Sequence, residues 1–217
     1  MENRLSETVD SMREKAKTLI RPKFVSGIYT PVFTEGGVLL DGTSIMLDGN
    51  DIAKLLRGCK KCILMAATIG TDIDREIKLR EYSDLTGSLI LDSCATVSIE
   101  EVCDVIQNNI EKEFKSKGLC ITQRYSPGYG DLPLIKNRDI LNALEAQKKA
   151  GITINANGIM IPRKSVVAII GIYDSKDVKK NSSAKKSCRE CSNYSACVYR
   201  RESEGFVCGN QRILEKG

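Results

Sequence analysis

The sequence predicts an α+β fold followed by a small cysteine-rich module. Apolar runs of strand character mix with helical periodicities without strict alternation, which argues against a doubly wound parallel sheet. One helical pattern, over residues 87–117, is far longer than the rest. Four cysteines fall between Cys188 and Cys208, behind a polar stretch with no apolar period.

The elements follow in order. Leu5, Val9, Met12, Ala16 and Leu19 recur at helical spacing, so residues 1–20 read as an amphipathic helix that packs on its own domain. Val25, Ile28, Tyr29, Val32, Phe33, Val38 and Leu39 around Gly36-Gly37 predict strands joined by a tight turn. Asn50 or Asp51 is placed to cap a short helix ending near Gly58. Lys61 to Thr68 is a buried-type apolar strand, and Thr71 or Asp72 opens the next helix. The long helix closes at Lys115, Lys117 and Gly118, where basic residues complement the carbonyl end and glycine takes the left-handed stop. Leu119 to Gln123 reads as a strand, and Asn137 as the cap of a helix ending at Gly151. Two further strands are expected near residues 151–154 and 166–173. Residues 174–187 read as a Lys/Ser-rich linker, and 188–217 as the cysteine-rich tail.

Composition bounds the function. At 217 residues the chain suits one domain plus an appendage. Its net charge of +5 is mild and lacks interleaved stacking aromatics, so nucleic acid is not the expected partner. No apolar run reaches the length of a membrane span, and the acidic N-terminus has no signal-peptide core, so a cytoplasmic protein is expected. Its nine cysteines are then thiols or metal ligands, not a disulfide scaffold. Histidine is absent, which removes the imidazole general base, the Ser-His and Cys-His dyads and His-ligated metals.

Arg124 to Leu134, Arg-Tyr-Ser-Pro-Gly-Tyr-Gly-Asp-Leu-Pro-Leu, must be a shaped loop, because its glycines and prolines exclude helix and central strand. Arg124 offers a planar fork of donors for a carboxylate or phosphate. Tyr125 and Tyr129 add flat faces with polar tips. Such a loop cradles a small ligand with an anionic end and a flat end, or forms an ordered surface turn. Gly128-Tyr129-Gly130 is no dinucleotide fingerprint, since Pro133 takes the third glycine position, and no Gly-Lys-Ser/Thr exists for a P-loop.

Arg124-x-x-x-Gly128-Tyr129 resembles the Arg-x-x-x-Gly-Tyr motif of the activation domain of cobalamin-dependent methionine synthase. Met160-x-Pro162-x-x-Ser165-Val166 resembles that family's Met-x-Pro-x-x-Ser-Val stretch. Ala67-Thr68-Ile69-Gly70 and the run from Leu91-Asp92-Ser93 to Glu100 resemble its stand-alone version. The resemblance covers roughly residues 20–173, and Gly130 departs from it where the large enzyme has proline. It implies a twisted, mainly antiparallel sheet with clustered helices over residues 21–173. It also implies binding of S-adenosylmethionine as methyl donor. The expected role is reductive remethylation of cobalamin on a separate methionine synthase or another corrinoid protein, with an external or tail-bound electron donor. The implied ligand residues are Arg124 for the carboxylate, the segment Tyr125, Ser126, Pro127, Gly128 and Tyr129, and Glu100 for the ribose hydroxyls or the amino group. Arg163 and Ser165 complete the wall, with Asp92 and Asp131 weaker candidates. No catalytic side chain is expected, since the domain positions a reactive ligand.

Cys188-x2-Cys191-x5-Cys197-x10-Cys208 packs four thiols closely enough to hold zinc or an iron-sulfur cluster. Neighbouring Lys and Arg favour the thiolates. Both metals stay open, as does a non-enzymatic reading: a metal-binding adaptor whose tail docks another protein. Cys59-x2-Cys62 has redox-like spacing but precedes a strand instead of opening a helix, so both are expected to be structural. Cys94, Cys103 and Cys120 fall on apolar faces as small core residues.

Overall fold

The computed structural model describes residues 2–177. Of the linker expected over residues 174–187, the first four belong to the fold, Asp174 ending the last strand and Ser175–Asp177 forming a 3-10 turn; the rest of it and the four tail cysteines lie outside the described residues. The order is α1 (Glu2–Leu19), β1 (Lys23–Tyr29), β2 (Pro31–Thr34), β3 (Gly37–Leu40), β4 (Met46–Leu47), α2 (Asn50–Leu56), β5 (Lys61–Thr68), α3 (Asp72–Arg80) and α4 (Leu85–Lys115). Then come β6 (Leu119–Ile121), α5 (Lys136–Ala143), α6 (Ala146–Ala150), β7 (Thr153–Ile154), β8 (Met160–Ile161) and β9 (Ser165–Asp174).

An antiparallel sheet in the order β1-β5-β9-β6 divides the molecule into two layers. The fold is α+β, with a mainly antiparallel sheet and helices clustered on it, as expected. Every residue of β5 from Cys62 to Thr68 is buried, because this central strand has cover on both faces. Successive side chains point to opposite faces. Cys62, Leu64 and Ala66 join one core with α2, α5, α6 and the small sheet β2-β3-β4. Ile63, Met65 and Ala67 join a second core under α1, α3 and α4. Truncating Leu64, which is wholly buried, would cost about 2–5 kcal/mol through lost transfer energy and an unfilled cavity.

Helix α4 is held on the second core by Leu91, Ala95, Ile99, Cys103 and Ile106, buried residues three or four apart. The Asp84 carboxylate caps it by accepting the Gly87 N–H at 2.9 Å. Helix α1 packs against α4 and α3, contributing Met12 and Ala16 to the same core.

Two expectations about helix ends are corrected. Asn50 and Asp51 do not cap α2. Its first amides donate instead to the Asp131 carboxylate, Asn50 N at 2.6 Å and Asp51 N at 3.1 Å. Asp131 thereby ties the loop after β6 to α2. The helix expected from Asn137 to Gly151 is two helices, α5 and α6, broken at Glu145, whose φ of 50° is left-handed. Asn137 lies buried within α5 and is no cap. The left-handed Gly151 does close α6.

Candidate functional site

Strand β6 ends at Ile121, but the chain keeps following β9: the Thr122 amide donates to Gly171 O, and Tyr125 pairs both ways with Ile169 at 2.9 and 2.8 Å. The Arg124 loop is therefore anchored on the central sheet. Inside it, Gly128 N donates to Leu132 O at 2.8 Å and Tyr129 N to Ser126 O at 3.2 Å. The Tyr125 hydroxyl donates to Tyr129 O at 2.9 Å. Pro127 is buried and Tyr129 is 65% exposed. The loop is a self-bonded shape whose Gly128 and Tyr129 amides are already engaged within it.

Arg124 is the connection between this loop and α4. Its side chain is only 13% exposed, with Nη2 2.7 Å from Asp104 Oδ1 and 3.6 Å from Glu100 Oε2. Nη1 donates to Gln107 Oε1 at 3.1 Å. Charge-assisted bonds in this setting contribute about 1.5–3 kcal/mol each, more than exposed pairs do.

The second motif reaches the same helix. Lys164 Nζ lies 2.9 Å from Asp92 Oδ1 and donates to Thr96 Oγ1 at 2.9 Å. The Lys164 carbonyl accepts from Thr68 Oγ1 and from the Ile69 amide. Arg163 is exposed, and its backbone N–H donates to Asp74 Oδ2 at 2.7 Å. Burial raises the Asp74 carboxyl above the usual carboxylate range, although that amide and the nearby Arg163 and Lys164 charges oppose the shift. Ser165 is buried, and its hydroxyl donates to Pro162 O at 2.6 Å. Its visible work is to close the 162–165 turn.

Asp92, Thr96, Glu100 and Asp104 stand one helical turn apart on α4. They sit one position after the buried Leu91, Ala95, Ile99 and Cys103, along the border between core and solvent. Two cations from segments forty residues apart in sequence, Arg124 and Lys164, end on this one stripe. The structure thus sets Arg124 against Glu100 and Asp104, and Lys164 against Asp92 and Thr96 nearer the N-terminal end of the same helix, while Ser165 and the Gly128 amide point their polar groups elsewhere. Sequence reasoning missed Asp104, Gln107, Thr96 and Lys164. The four-residue polar repeat beside an apolar repeat was the signal that could have found them. A cavity of about 300 Å³ lies beside the second motif, lined by residues that include Arg21, Lys23, Thr68, Gly70, Thr71, Asp72 and Pro162, and Thr68 is the strand partner of Ser165.

Among the described residues no group of three or more Cys, Asp or Glu side chains is placed to hold a metal ion. Cys59 and Cys62 are buried, and burial pushes their thiols up to about 11 and about 12, which disfavours the reactive thiolate at neutral pH. Cys103 is pushed up to about 11 in the same way. These three thiols are expected to resist a water-soluble disulfide reagent at pH 8 in the native protein and to react at once in denaturant. Rapid native labelling of Cys59 or Cys62, located by peptide mapping, would return that pair to the redox candidates.

No protein-family model matches the sequence, and no curated protein matches it. Among solved structures, the chain is similar to one described as the MetH reactivation domain bound to AdoHcy, with a TM-score of 0.51 and 20% identity. The match covers 78% of this chain and 65% of that one, so the chain spans about two thirds of the solved domain's length. The fold is that of the MetH reactivation domain. No helix among the described residues is long and apolar enough to cross a membrane.

Proposed function

We propose that the chain is a reactivation module that binds S-adenosylmethionine and assists reductive remethylation of cobalamin on a separate methionine synthase or related corrinoid protein. The observation that carries this reading is the convergence of both sequence motifs on the Asp92–Asp104 stripe. It occurs in a fold shared with a MetH reactivation domain that was solved with AdoHcy. The solved ligand is the demethylated form of the proposed donor. In the proposed reaction the methyl passes from sulfonium to a one-electron-reduced cobalt, leaving AdoHcy, with the electron supplied by a reductase or ferredoxin-type donor. This chain's residues position and hold. Arg124 faces the ligand carboxylate, Glu100 offers acceptors to the ammonium and ribose hydroxyls, and Tyr129 offers a flat face. Positioning alone accounts for large accelerations when the reacting atoms are held in line.

The test is methyl transfer from labelled S-adenosylmethionine to an oxidised methionine synthase lacking its own reactivation domain, given a reductant. Recovery at least tenfold faster with this protein is expected. Equal recovery with and without it favours the adaptor reading, to which one observation lends weight: the Arg124 fork already holds Asp104 and Gln107. The proposal extends to the tail, where Cys188, Cys191, Cys197 and Cys208 would hold zinc or an iron-sulfur cluster. Protein prepared without oxygen should be brown, with iron and sulfide, for a cluster, or colourless with one zinc per chain for a structural site.

A further inference from the structure

We propose that the basic segment after Asp177, centred on residues 179–201, docks in cis along the outward face of α4. Charge points to it first. Residues 178–217 hold nine Lys and Arg against four Glu, which equals the whole chain's net charge of +5 and leaves residues 1–177 neutral. Within the neutral part the charge is uneven: α4 from Leu85 to Glu111 carries five acids and no base. Lys164 and Arg124 pair with this stretch and leave it three charges negative.

The uncovered surface has the matching apolar character. Leu85, Leu89, Val97 and Val105 are each more than half exposed, and they share one four-residue ridge with Ser93 and Glu101. A fully solvated helix face carries charges at most of these positions. The basic segment interleaves Tyr194, Val198 and Tyr199 with Arg189, Arg200 and Arg201, so it offers apolar groups as well as positive charge.

The chain also leaves the fold at the right place. Asp174 pairs with Leu119, and the Ser175 amide donates to Gly118 O, beside the C-terminal end of α4. From Lys115 back to Glu101 is about 21 Å along the helix. The residues from 178 to Lys186 reach about 30 Å when extended. Lys185 and Lys186 therefore reach Glu101 and Asp104 with chain to spare, and an intramolecular segment acts at millimolar effective concentration. Docking there brings the four tail cysteines beside the stripe that holds Arg124. The inference stands on charge and reach, and holds whichever ligand or metal the protein takes.

The experiment is zero-length carbodiimide cross-linking of the full chain at low salt, read by mass spectrometry on an equal mixture of light and heavy-isotope protein. Links from Lys179, Lys180, Lys185 or Lys186 to Glu101 or Asp104 are expected, all within one isotope. The links to Asp104 should fall at least fivefold in Glu101→Lys, in Val97→Lys and in half-molar salt. Mixed-isotope links would seat a second copy on the ridge and overturn the cis assignment. Absence of these links, or links unchanged in both variants with native circular dichroism, would overturn the docking itself.

Discussion

Arg124→Ala is expected to weaken S-adenosylmethionine binding ten- to a hundredfold and to lower stability by about 2 kcal/mol. Both effects come from one guanidinium. At 13% exposure it bonds Asp104, Gln107 and, at longer range, Glu100. Its removal leaves a half-buried carboxylate without its 2.7 Å partner and releases the loop from α4. Arg124→Lys separates the contributions, because it keeps the charge and loses the fork. If the ligand carboxylate takes over donors that Asp104 now holds, Asp104→Asn should raise affinity even as stability falls. Calorimetric titration and thermal melts on the four proteins measure both quantities. Unchanged affinity in Arg124→Ala, with the fold intact, would remove this loop from the site.

That pairing also marks where reading the sequence stops. Lys61–Thr68 is legible as a buried strand because seven consecutive residues have cover on both sides, which forces an apolar run with no alternation. The long helix is legible within two residues at each end, since its core contacts repeat over many turns. What sequence order hides is any bond between distant segments. Asp131 looks like a candidate ligand residue until α2, eighty residues earlier, is seen to donate its first two amides to it. Arg124 looks like a free fork until Asp104 is seen to hold it. Ser165 looks like pocket wall, and only the fold reveals that its hydroxyl closes the four-residue turn from Pro162. The break at Glu145 has no glycine or proline to announce it. There packing of Ala146 and Ala150 beneath the sheet overrides a continuous helical pattern.

The site's second large sensitivity is a backbone one. Gly128 sits at φ +95°, a conformation that β-branched residues adopt only under strain, and a Cβ there would lie 3.0 Å from Leu134 Cδ1. Gly128→Val therefore meets two costs, about 1–3 kcal/mol of backbone strain and a side-chain clash. The loop relieves them by giving up the Gly128 N to Leu132 O bond that sets its shape. Tyr129 and the Ser126 carbonyl would move with it, so ligand affinity should fall at least tenfold. Strain and site effects are separable with a control. Gly118 has φ +73° with nothing within 4 Å of its Cβ position, and it lies after α4, away from the loop. Gly118→Val should lower the melting temperature comparably and leave affinity unchanged. Were both variants to lose affinity together, the loss would reflect general destabilisation. Were Gly128→Val to keep full affinity, the 124–130 segment would be an ordered surface turn and nothing more.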